Sequence, residues 1–212
     1  MVEPARMRAV QRKGYSRREF MRDVGLMGGG AYLVCYTLGC RDKTSTLDGA
    51  AGPKRTPGAV PSGLKTFTAD EYRVVAAACA RILPSETDAT GAIEAGVPDY
   101  IDCMLASTPI QRQREDFLTG LASFDRQSRS NFGAGFAGLK SDLQDEMIKR
   151  FQFSRFSGEQ KFFNELLVLT LEGFLGDPRY GGNRDRLGWK LTGFEPPFPL
   201  SKAHSCSHGS AG

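Results

Sequence analysis

The residues of this sequence best suited to hold a soft metal are His204, Cys206 and His208, two imidazoles and a thiolate at alternating positions. They lie in a Ser- and Gly-rich tail, where ordering the chain around an ion costs conformational entropy, so they read as exposed polar residues and no metal site is expected. They include the only two histidines of the 212 residues, which leaves none within the body as general base or buried ligand. The five cysteines, Cys35, Cys40, Cys79, Cys103 and Cys206, contain no Cys-x-x-Cys pair, so zinc ribbons, dithiol redox motifs and haem attachment are excluded by spacing. Cys79 and Cys103 fall among apolar helical positions, where a thiol acts as a small hydrophobe. One disulfide drawn from Cys79, Cys103 and Cys206 stays open, as does a bond from Cys206 to another chain. The acidic groups Asp70/Glu71, Asp99/Asp102 and Asp142/Asp145/Glu146 read as helix-dipole partners and solvated faces, not as a catalytic pair. Gly181-Gly182-Asn183 lacks the preceding strand and the following Lys-Ser/Thr of a phosphate cradle. These searches yield no catalytic residue and no cofactor ligand.

The elements that carry these residues are helices, because no run shows strand alternation bounded by turns. Thr68 to Glu71 is a capping box, followed at helical spacing by Tyr72, Val75, Ala76, Cys79 and Ile82 and ended by Pro84. Pro98 suits a first helical position, with Ile101, Met104 and Leu105 on the apolar face. Thr108-Pro109 opens a longer third helix through Phe117, Leu121 and Phe124 that fails by Gly133. Ser141 to Gln144 and Ser157 to Gln160 are two further capping-box patterns, heading helices with Met147 and Phe151, then Phe163, Leu166, Leu167 and Phe174. The expected fold is all-α, a compact bundle of about five helices with irregular loops over residues 67–194. Residues 195–212 read as a disordered tail.

The N-terminal end reads as an address. Ser16-Arg17-Arg18-Glu19-Phe20-Met21 places two arginines and an apolar pair after a basic region, the pattern of a twin-arginine export signal. From Val24 to Cys40 run 17 uncharged residues diluted by five glycines, which suits a signal core better than a permanent span. Thr37-Leu38-Gly39-Cys40 fits cleavage near Cys40 or its lipidation. Residues 1–40 are thus the signal segment, and the Gly-, Pro-, Ser- and Thr-rich residues 41–66 a flexible linker. The first 40 residues hold seven bases against three acids and so carry the whole formal charge of +4, leaving 21 of each in the remainder. A neutral body gives no electrostatic reason to bind nucleic acid.

After the fifth helix, Asp177 to Phe194 reads as an ordered loop, with glycines for positive φ and with Tyr180, Trp189 and Phe194 as aromatic area that either closes the core or meets a partner. This segment, with Phe67 to Glu71 leading to Ile82-Leu83-Pro84, Glu94-Ala95-Gly96-Val97 leading to Tyr100-Ile101-Asp102, and the paired arginines, resembles the gluconate 2-dehydrogenase small-subunit family (subunit 3).

The resemblance implies a non-catalytic companion of an FAD-dependent large subunit in a membrane-associated sugar or polyol dehydrogenase, often with a multihaem cytochrome c. FAD and haem c would then belong to the partner subunits, with none in this chain. It also implies export by the twin-arginine route to the periplasmic face of the bacterial inner membrane, with membrane association through the complex or a lipidated Cys40. Two other readings stay open: a free-standing periplasmic or lipid-anchored helical binding module, and an enzyme using the Cys206 thiol.

Overall fold

The computed structural model describes residues 59–87, 89–106 and 111–196. Arg17, Arg18, Phe20, Cys40, His204, Cys206 and His208 lie outside them. Six helices follow in order: α1 Ala69–Ile82, α2 Val97–Ala106, α3 Gln111–Phe132, α4 Ser141–Gln152, α5 Ser157–Leu175 and α6 Leu187–Thr192. Among the described residues no strand forms; one isolated antiparallel bridge joins Glu86 and Ala89. The all-α expectation holds. The sixth helix occupies the stretch that the sequence suggested was a loop, preceded by 3-10 turns at Pro178–Tyr180 and Arg184–Arg186.

The ends of α1 follow from its sequence. The Thr68 hydroxyl accepts the Glu71 amide at 3.3 Å while the Glu71 carboxylate accepts the Thr68 amide at 2.8 Å, satisfying two orphan donors. The other two capping boxes do not form. Ser141 and Ser157 are the first helical residues, and the N-caps are Lys140 and Phe156, neither with a side-chain cap. The physical reason is competition: buried Gln144 donates its amide to the Phe136 carbonyl at 3.0 Å, and Gln160 turns its amide to the Gln152 carbonyl at 3.5 Å.

α5 is the central element and packs against all five other helices. Its inward Phe162 meets Phe117 of α3 at 5.2 Å, Phe124 of α3 at 5.6 Å and Phe151 of α4 at 6.0 Å between ring centroids. Phe124 also packs on Phe136 at 4.6 Å and edge-on to Phe151 at 4.8 Å. Such pairs contribute about 0.5–1.5 kcal/mol each beyond area burial, so this cluster ties α3, α4 and α5 into one core. Outside it, Arg81 of α1 forks onto Asp145 of α4 with both bonds at 2.7 Å. That pairing lowers the Asp145 carboxyl from its ordinary value, chiefly through the hydrogen bond from Arg81.

Candidate functional site

The motifs singled out in the sequence converge where α2 meets the segment after α5. At Gly96 the backbone has φ +74°, a turn that glycine takes without strain, and a Cβ there would lie 2.6 Å from Arg184 Nε. The Ala95 carbonyl accepts the Arg184 amide at 3.1 Å. The Arg184 guanidinium donates to Asp99 Oδ2, and the Tyr72 hydroxyl donates to Asp99 Oδ1 at 2.8 Å. One buried carboxylate therefore joins α1, α2 and the 3-10 turn at Arg184–Arg186.

Asn183 performs the second junction. An α-helix leaves its last carbonyls without intrahelical partners. At the end of α5, Gly173 O accepts the Asn183 amide at 2.7 Å, Gly176 O just beyond it accepts Asn183 Nδ2 at 2.8 Å, and Leu175 O accepts the Trp189 indole N–H at 2.6 Å. The Asn183 Oδ1 then accepts the Gly188 amide at 2.8 Å near the start of α6. Asn183, fully buried, sits in the left-handed region at φ 45°, which asparagine tolerates better than most residues. Close approach accounts for two glycines here: a Cβ would lie 2.2 Å from Gly173 O at Gly182, and 1.9 Å from Phe174 O at Gly188. The segment is a cap on the C-terminal end of α5.

Of the two roles left open for the aromatic residues of this segment, Trp189 takes the inward one. Its side chain is only 3% exposed and its polar edge is taken up by Leu175, so it closes the domain's own core. Tyr180 and Phe194 stay at the surface, 46% and 44% exposed, with the Arg179 guanidinium 4.8 Å above the Tyr180 ring and Phe194 edge-on to Trp189 at 5.2 Å.

The reading of Asp99 and Asp102 as solvated acids is also overturned. Asp102 is fully buried and accepts three backbone amides, from Lys65 at 2.8 Å, Thr66 at 2.9 Å and Phe67 at 2.8 Å. The Thr66 hydroxyl adds a bond to the Asp102 carbonyl at 2.9 Å. The clue was available in the sequence: both acids lie in a ten-residue, mostly apolar helix, where burial obliges each carboxylate to find donors. Their lone pairs are occupied by structural donors, and the arrangement anchors segments together.

Cys79 and Cys103 are both buried and are not bonded to each other. Cys79 lies 3.4 Å from the Thr170 hydroxyl, and burial pushes its thiol up to about 12, far from the range of a reactive thiolate. Burial also raises the Glu165 carboxyl. Among the described residues no three His, Cys, Asp or Glu side chains come together as a metal-binding group.

Residues 69–196 match the family model described as gluconate 2-dehydrogenase subunit 3. No curated protein and no solved structure matches the chain. The match begins at the first residue of α1, runs through α6 and takes in both junctions, at Asp99 and at Asn183. The chain belongs to the gluconate 2-dehydrogenase subunit 3 family.

Proposed function

We propose that this chain is the non-catalytic small subunit of a membrane-associated, FAD-dependent dehydrogenase of sugars or polyols, the gluconate type included. It escorts the catalytic subunit through twin-arginine export to the periplasmic face of the inner membrane and stabilises it there. The observation that carries the reading is the extent of the family match, which covers the entire helical body. Two features of the chain support it. Arg17, Arg18 and Phe20 form a folded-cargo export pattern, and the polar groups buried in the body serve to lock its own segments together, as suits a rigid escort. In this reading FAD sits on the large subunit and haem c on a cytochrome subunit. Cys40 is either next to the cleavage point or the site of lipidation, and Tyr180 and Phe194 are the aromatic contacts offered to the partner.

The test is affinity capture of the full chain from its native host, with mass spectrometry and a visible absorption spectrum. A co-purifying flavoprotein that disappears from the periplasm in an Arg17→Lys/Arg18→Lys variant is the expected result. A colourless monomer without a large partner would overturn the proposal in favour of a free-standing binding module.

A further inference from the structure

Among the described residues the two most exposed large apolar side chains belong to one short turn. Phe153 and Phe156, between α4 and α5, are 75% and 72% exposed, whereas Phe151, two residues earlier, is buried against Phe124. The turn is held in this form. The Phe153 amide donates to Lys149 O at 3.0 Å, and the Ser154 hydroxyl accepts the Phe156 amide at 3.0 Å while donating to Glu159 at 2.6 Å. The rings are thus presented by a fixed backbone.

Two acids flank the turn and both are engaged, Glu146 by Arg150 and Glu159 by Ser154 and Gln127. Between Met147 and Gly158 the charged residues are Lys149, Arg150 and Arg155, with no acid among them. Arg150 is engaged by Glu146 at 2.8 Å and lies 5.3 Å over the Phe132 ring. Lys149 and Arg155 are exposed, and no carboxylate of the described residues lies within ion-pair distance of either. We propose that this turn is a lipid-contacting tip, with Phe153 and Phe156 entering the headgroup region of an anionic phospholipid surface and Lys149 and Arg155 meeting its phosphates.

Area favours lipid over a protein occupant. Two phenylalanines exposed to this degree offer roughly 300 Å² of aromatic surface, and the exposed residues beside them, Gln152, Ser157 and Gln160, are polar. A durable protein interface needs about 800 Å² from each partner. Interfacial lipid binding has no such threshold, because it grows with each inserted apolar group and each base near an anionic surface. The inference is independent of the escort reading, and its test needs no partner subunit.

The test is co-sedimentation of the full chain with vesicles of mixed phosphatidylglycerol and phosphatidylcholine, and with phosphatidylcholine alone. Binding to the anionic vesicles should fall about tenfold or more in Phe153→Ser/Phe156→Ser and by a similar factor in Lys149→Gln/Arg155→Gln. Both pairs are exposed, so thermal stability should not change. Because residues 24–40 are themselves apolar, a local reporter is needed. The single native tryptophan is buried, so emission from a Phe153→Trp variant reports the tip and should shift blue on anionic vesicles. Phe153→Trp emission unmoved by anionic vesicles overturns the proposal. So does a serine variant that keeps lipid binding while releasing a partner protein.

Discussion

The Asp99 carboxylate and the Arg184 guanidinium, 85 positions apart, meet in a buried ion pair that carries the Tyr72 hydroxyl on its second oxygen. Removing one partner leaves the other charge desolvated, so Asp99→Asn or Arg184→Ala should destabilise the domain by about 2–3 kcal/mol, somewhat below a fully buried pair because Arg184 retains partial access to water. Urea unfolding measures it. The double replacement Asp99→Leu/Arg184→Met should cost less than the sum of the single changes.

Asp102 answers three amides with one carboxylate, which asparagine cannot do with its single acceptor oxygen. Asp102→Asn is expected to lower stability by about 2 kcal/mol. Amide hydrogen exchange should accelerate first at residues 65–67, ahead of the aromatic core. Uniform acceleration throughout the domain would contradict this account.

Gly188→Ala places a methyl group against the Phe174 carbonyl, a backbone atom that cannot turn aside. The expected loss is about 3 kcal/mol or more, with the cap on α5 released. Trp189 is the only tryptophan and lies on that cap, so its fluorescence should shift red before helical circular dichroism falls.

Cys79 should resist thiol reagents at about pH 8 in the native protein, because burial holds it in the neutral form, and should react fully in denaturant. Native-state labelling of Cys79 at the rate of a free thiol would show that α1 opens away from Thr170.

Glu165 gives a pH signature of opposite sign to the usual carboxylate. Burial raises its folded value above the unfolded one, so its effect on stability is most favourable at low pH and is lost as pH rises through the folded value. Its Oε1 has no hydrogen-bond partner. Glu165→Gln should therefore raise the melting temperature at about pH 8 and change it little at about pH 4, the ordinary carboxylate range.

The helices were legible wherever a local rule acted alone. Thr68 with Glu71 specifies the start of α1, and Gly133 at φ +78° ends α3 as its position suggests. The rules failed where a distant group competed for the same atoms. Gln144 has the right spacing to close a box with Ser141, yet its amide is taken by Phe136, a contact that depends on how the 3-10 turn packs. The junction residues were visible as motifs, but their chemistry was not. Nothing local pairs Asp99 with Arg184, and Trp189 in a glycine-rich stretch reads equally as lid or as contact until the carbonyls of α5 are seen to need its N–H. Non-glycine residues also occupy left-handed geometry at Asn183, Asp185 and Arg186, which no glycine announced.

The cap on α5 has a further consequence for the order in which the protein is made. Arg184, Asn183 and Trp189 leave the ribosome after the five longer helices, so Asp99 on α2 and the last carbonyls of α5 emerge before the late donors that bind them in the folded domain. The body can close only once synthesis has passed Trp189, long after residues 1–40 have emerged. A partner that recognises the completed domain must therefore wait for nearly the whole helical chain.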